Sequence, residues 1–173
     1  MDAATFLTEM IKPGVTLLSA LTNGRPSVSD NANRMLLAIA QQESGPNLNA
    51  RYQNSPSASP GPARGWWQFE QGGGVTGVIN HSATKSMVVQ VTNALTIVNQ
   101  PAAVWRALEG HDLLACCFAR LLLWTDPGAL PTTQQAGWNC YLNLWRPGKP
   151  KPDAWPGNWA NADATIKLSS GGA

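Results

Sequence analysis

The residues of this chain best placed to do chemistry are the carboxylate Glu43 and a cluster about twenty residues further on, Gly65-Trp66-Trp67-Gln68-Phe69-Glu70, followed by Gly72-Gly73-Gly74. In Arg34-Met35-Leu36-Leu37-Ala38-Ile39-Ala40-Gln41-Gln42-Glu43, the positions Leu36, Ile39, Ala40 and Glu43 recur at i, i+3, i+4 and i+7 and share one helix face. That face is apolar and is expected to be buried, and Gly45-Pro46 stops the helix just beyond the carboxylate. A carboxyl placed there loses hydration and meets the negative end of the helix dipole, and both effects favour its protonated form. Such a group can give up a proton near neutral pH, as a general acid must. The plainer alternative is a terminal Glu that bends out to solvent after the last turn.

The second cluster sets two indoles, an amide and a carboxylate beside flexible backbone, the parts from which sugar sites are built. Aromatic rings cover the apolar faces of a pyranose, an amide and carboxylates take its hydroxyls, and glycines let the backbone approach a bulky polymer. A Trp-Trp pair serves a hydrophobic core equally well. In an extended segment adjacent residues point to opposite sides, so one of Trp66 and Trp67 is expected to face the ligand and the other the core.

In their order and spacing, Glu43-Ser44-Gly45 and Gly65-Trp66-Trp67-Gln68-Phe69 resemble the Glu-Ser and Gly-Leu-Met-Gln-Ile signatures of the soluble lytic transglycosylase and goose-type lysozyme group. Those enzymes cleave the glycan strands of peptidoglycan. The resemblance spans roughly residues 30 to 80 and has the flavour of a bacteriophage member. It implies a mainly α, lysozyme-like single domain with a small loop or β element between the Glu43 helix and Gly65-Trp66-Trp67-Gln68. It also implies that Glu43 is the catalytic acid, that Ser44 is the hydroxyl beside it, and that Gln68 is the glutamine of the second motif. Glu70 falls where goose-type members place an aspartate, and Trp66, Trp67 and Phe69 would help hold the glycan. The chain departs from the pattern in three ways. Trp66-Trp67 replaces Leu-Met, Ser55-Pro56-Ser57-Ala58-Ser59-Pro60-Gly61-Pro62 separates the motifs, and the Ala-Tyr-Asn-Ala-Gly signature is not present. Trp138-Asn139-Cys140-Tyr141 is its nearest echo and adds Tyr141 to the substrate-binding candidates.

Two routes could complete the reaction. A Glu70 across the cleft, with room for a water at a carboxyl separation of about 6.5 to 9.5 Å, would act as base and release a reducing sugar. A Glu70 pointing away leaves the group's other route, in which the sugar's own hydroxyl attacks and a 1,6-anhydro end forms.

At 173 residues the chain fits one domain with a core of its own. Charged residues are 13%, about half the usual fraction, while eight tryptophans exceed ordinary packing needs and suggest an aromatic groove. A net charge of +2 with no basic block longer than the Lys149-Pro150-Lys151 region argues against nucleic acid as a partner. His81 and His111 stand 30 residues apart without a zinc arrangement, and no Gly-x-Ser-x-Gly, P-loop or dinucleotide fingerprint occurs, so no metal or cofactor is expected. No signal-peptide pattern opens the chain and no 18-residue apolar stretch reads as a membrane span. The expectation is a protein made in the host cytoplasm that reaches the bacterial cell wall through a holin or inside a phage particle, with virion or tail proteins as candidate partners. Cys116, Cys117 and Cys140 read as small buried hydrophobes, with a bond from Cys140 to one of the pair as the alternative. From another functional class, the chain reads as a virion structural or adaptor protein that keeps a lysozyme-like fold with little or no activity. A sugar-binding module without turnover is a third reading.

The elements that must position these groups are mostly helical. A first helix is expected from about Ala3 to Leu21 with a break at Pro13-Gly14, and Ser29 or Asp30 caps the Glu43 helix. Residues 46 to 64 read as a loop that lines the cleft. Lys85 to Val98 places Met87, Val91, Ala94, Leu95 and Val98 on one stripe, with a strand as the alternative. A short helix runs from Pro101 to Gly110, and His111 to Trp124, apolar nearly all round, is the central buried helix. Thr132 or Thr133 caps a helix carrying Trp138, Tyr141, Leu142 and Trp145. The lysozyme-like domain thus covers 1–150, and 151–173 is expected to be an irregular C-terminal tail.

Overall fold

The computed structural model describes residues 1–49, 51 and 61–171, so the segment Ser55 to Pro60 of the expected cleft-lining loop lies outside the described residues. The chain is mainly helical, and its helices pack around α7 (Asp112–Trp124), which is buried continuously from Leu114 to Leu123. An apolar helix with no polar face has no stable place except the centre of a domain. Cys116 and Cys117 sit on it as free thiols, directing Sγ at the carbonyls of Ile11 and Gly14, and Cys140 is likewise free and buried. Burial pushes the Cys117 thiol up to about 12 and that of Cys140 to about 11, so both stay protonated hydrophobes.

The N-terminal helix is continuous but changes pitch. α1 (Ala3–Phe6) passes through a π turn at Leu7–Ile11 into α2 (Lys12–Leu21). Pro13 has no N–H to give and its ring clashes with the carbonyl four residues back, so the wider turn just before it absorbs the proline without ending the helix. Gly14 explains the close crossing that follows: a Cβ there would lie 2.5 Å from Cys116 Cβ.

α3 (Asp30–Ser44) begins where Ser29 Oγ accepts the Ala32 N–H at 3.2 Å, and it ends at Gly45, whose φ of +83° glycine adopts without strain. Leu36, Ile39 and Ala40 are fully buried, as their spacing requires. α4 (Thr76–Asn80), α5 (Lys85–Ala94) and α6 (Pro101–Ala107) form the middle of the chain. In α5 the helical reading holds but the buried face is rotated from the expected one. Val88, Val91 and Thr92 point inward, while Ala94 and Val98 are exposed. Thr92 can be buried because its hydroxyl donates back to the Val88 carbonyl at 2.8 Å.

The expected irregular tail is instead α9 (Trp155–Ser170), which lies against α3 and joins the common core through Trp155, Trp159, Ala162 and Ile166. Asn158 belongs to the same stripe and is buried because its Nδ2 donates to Gln42 Oε1 at 2.8 Å, and Arg34 of α3 pairs with Asp163 at 2.8 Å. Pro156-Gly157 occupies the first helical turn, where a missing N–H costs nothing. The core therefore does not stop at residue 150. Among the described residues no helix is long and apolar enough to cross a membrane.

Candidate active site

Between α3 and α4 the chain makes a small antiparallel hairpin, β1 (Ala63–Arg64) and β2 (Phe69–Glu70), paired Ala63 to Glu70 and Arg64 to Phe69. Gly65-Trp66-Trp67-Gln68 is its turn. Gly65 takes φ +72° with a ghost Cβ only 2.6 Å from the Leu108 carbonyl oxygen, so no other residue fits there. Gln68 takes φ +50°, and both its backbone N–H and its Nε2 donate to the Gly65 carbonyl, at 3.0 and 2.9 Å.

Two side chains from helix ends clamp this turn. Ser44, the last residue of α3, donates its hydroxyl to the Trp66 carbonyl at 2.7 Å. Trp145, the last residue of α8 (Gln134–Trp145), donates its indole N–H to the Trp67 carbonyl at 3.0 Å. The clamp brings the C-terminal ends of α3 and α8 to the hairpin and opens a groove of about 1250 Å³ lined by Glu43, Gln68, Phe69, Glu70, Tyr141 and Trp145 among others.

The turn also overturns the expected division between Trp66 and Trp67. The alternation of an extended strand does not apply inside a turn, and both indoles drop into the core, Trp66 at 5% exposure and Trp67 at 0%. Trp66 donates to Asp112 at 2.8 Å, meets the edge of Phe6 at 5.4 Å, and lies under the Arg51 guanidinium at 4.8 Å. Trp67 donates to the Leu36 carbonyl at 2.9 Å. Neither lines the groove, and Ser44 is buried in its clamp; these three act as framework and not as sugar contacts. Phe69 reaches the groove wall but is itself buried against Phe118. Of the eight tryptophans only Trp145 lines the groove, beside Phe69 and Tyr141, and none is fully exposed, so the tryptophan surplus does not go into a groove surface. The surplus indoles pack α8 against α9, with Trp155 stacked on Tyr141 at 5.5 Å and touching Trp138 and Trp159.

Glu43 is partly buried, and its Oε1 accepts a hydrogen bond from the Tyr141 hydroxyl at 2.7 Å. Burial raises the Glu43 pKa above its ordinary 4.5; the Tyr141 hydrogen bond and the Lys151 charge oppose the rise, and the Glu70 charge adds to it. The phenol of Tyr141 is in turn pushed up by its own burial and by the neighbouring carboxyl, so it remains a donor. Glu70 stands exposed at the end of β2 on the same groove, next to Gly72-Gly73-Gly74. A partly desolvated carboxyl with a fixed donor, and a second, exposed carboxylate lining the same groove, are the kinds of group that move protons in two directions.

Several lining residues had no individual signal in the sequence. Arg146, Lys149 and Lys151 border the groove, although their segment read only as a basic block too short for nucleic acid. Gln42 is held on both sides, donating to the Lys151 carbonyl at 2.9 Å and accepting from Asn158, which fixes the helix end beside Glu43. Asp112, at the start of α7, holds Trp66 and Arg51. His81 lies on the groove, where its Nδ1 accepts the Ala83 N–H, and His111 caps α7. Among the described residues no three His, Cys, Asp or Glu side chains gather in a metal-binding group. Comparison of the chain with protein families, with curated proteins and with solved structures finds no match to any of them.

Proposed function

We propose that this chain cleaves the glycan strands of peptidoglycan, as a muramidase or lytic transglycosylase, with Glu43 as general acid. The observation that carries the reading is the Glu43–Tyr141 pair at 2.7 Å, placed at a helix end on a groove large enough for a polymer, with the carboxyl held toward its protonated form by burial. Glu43 donates its proton to the glycosidic oxygen. Tyr141 keeps one carboxyl oxygen occupied and so orients the other toward the groove. Gln68 presents its amide oxygen from the clamped turn, while Glu70 is free to take a proton from water or to leave the closing step to the sugar's own hydroxyl. A helix ending in Glu-Ser, then a hairpin turn ending in Gln, then a tyrosine from a later helix is also what a lysozyme-like domain of the lytic transglycosylase and goose-type group would supply, and it suits a phage protein that opens the host wall.

Trp66 and Trp67 favour a second reading, because their burial takes two aromatic platforms away from the groove. In it the chain is a virion structural or adaptor protein with a lysozyme-like fold. Release of soluble fragments from purified peptidoglycan, or clearing in a zymogram, separates the two. The cleavage reading requires turnover by the isolated chain; a correctly folded chain that releases nothing supports the structural one.

A further inference from the structure

The connection from α8 to α9 carries Arg146, Lys149 and Lys151, and all three line the groove that holds Glu43. Proton transfer does not account for Arg146 and Lys149, and Lys151 bears on it only by opposing the rise of the Glu43 pKa. Among the described residues none of the three pairs with a carboxylate, whereas Arg34, Arg51, Arg64 and Lys167 each do. Their placement is set by backbone. Arg146 follows α8 as its cap in the left-handed region at φ +48°, a conformation costly for a residue with a Cβ, and its Nε donates to the Asn143 carbonyl at 3.2 Å. That bond leaves the end of the guanidinium free of protein partners among the described residues. At the other end of the segment, the Lys151 carbonyl is tied to Gln42, the neighbour of Glu43, and Lys149 stands exposed between. Gly72, Gly73 and Gly74 also line this groove and put no side chain into it.

Cations gathered along one groove raise the local potential and attract an anion carried by a bound polymer, which a lone surface lysine does not. The sugar rings of an N-acetylated glycan are neutral. The anionic groups along a peptidoglycan strand are the carboxylates of its stem peptides. We infer that Arg146, Lys149 and Lys151 form an anion subsite that takes stem-peptide carboxylates of the strand whose glycosidic bond lies at Glu43. The inference rests on the glycan-cleaving reading for its ligand, and its test separates the two.

Binding is measured by co-sedimentation, in the Glu43→Gln background, with purified peptidoglycan and with the same material after its carboxylates are converted to amides. Amidation should weaken binding about fivefold at low ionic strength, and the difference should shrink as salt is raised. An Arg146→Asn/Lys149→Gln double variant should bind both materials at the weaker level; Asn is chosen because it tolerates the left-handed conformation. Lys149→Gln alone, at an exposed side chain, should show part of the same loss. Equal binding to native and amidated material overturns the subsite, and so does a double variant that still prefers the native form. Fragment release by the unmodified chain is read alongside. Fragments released with no preference for carboxylates keep the cleavage reading and overturn the subsite; carboxylate-dependent binding with no fragments from either material supports the subsite and overturns cleavage. Single-stranded nucleic acid bound more tightly than native peptidoglycan, through the same residues, overturns the assignment to stem peptides.

Discussion

The two sides of the groove are built in opposite ways. On the Glu43 side every group is held: Ser44 and Trp145 clamp the turn, Gln42 is bonded to α9 and to the Lys151 carbonyl, and Tyr141 is fixed between Glu43 and the face of Trp155. On the Glu70 side the carboxylate is exposed, and a Cβ built at Gly72 or Gly73 would meet nothing within 4 Å. For the proposed reaction the difference means that Glu43 would be prepared as the acid by desolvation and rigid support, while the other wall would stay open to a bulky ligand and to water. A general acid needs a shifted pKa and a fixed direction, and both come from packing. A base acting on water needs solvent, which packing would remove.

Damage to the closed side should cost the most. Trp66→Ala and Trp67→Ala should each lose about 3 to 5 kcal/mol of folding free energy, read by chemical denaturation, because both indoles are core and each donates a hydrogen bond from its ring N–H. A stability-neutral Trp66→Ala that only weakens wall binding would return that residue to the open side. Next in size, Glu70→Gln should slow turnover by about 10²-fold if Glu70 is the base, and digestion in heavy-oxygen water should then label the new reducing end. Full activity in Glu70→Gln with an unlabelled anhydro product would place all the chemistry on the closed side. Tyr141→Phe should lower turnover about tenfold by freeing the Glu43 carboxyl. It should also move the alkaline limb of the pH profile upward, because the lost hydrogen bond favoured the carboxylate. An alkaline limb that stays in place would show that Tyr141 does not govern the acid.

The smallest effect is on stability. The raised pKa of Glu43 in the folded chain means that its contribution is fully present below the ordinary carboxyl value of 4.5 and is lost as pH rises through the folded value. Glu43→Gln should therefore melt higher than the parent at neutral pH, with the gap closing toward acid. A gap that widens on acidification would mean that the carboxylate is stabilised in the fold.

The same contrast separates what was legible in the sequence from what was not. Glu43 could be found because its environment is local: the Leu36, Ile39, Ala40 spacing and the Gly45-Pro46 stop are enough to place it on a buried helix end. Tyr141 entered only through a weak likeness of motif, since the bond that gives it a role spans 98 positions of chain. The tryptophan pair was misread because a strand period was applied to a turn, and the positive φ of Gln68, a residue with no special preference for it, left no sign in the sequence. In α9 the period was present at Trp155, Asn158, Trp159, Ala162 and Ile166, but a polar residue stood in the stripe and Pro-Gly stood at its start. A buried Asn looks like surface until Gln42 is known to face it.

The central claim is that Glu43 is the proton donor of a glycan-cleaving groove, and the most direct measurement is the rate of fragment release from purified peptidoglycan by the parent and by Glu43→Gln, with both shown folded by their melting curves. Gln keeps the size of the side chain and an oxygen for Tyr141, and removes only the proton to be donated. The rate should fall by about 10²-fold or more while the fold survives. A Glu43→Gln chain that clears peptidoglycan as fast as the parent contradicts the account.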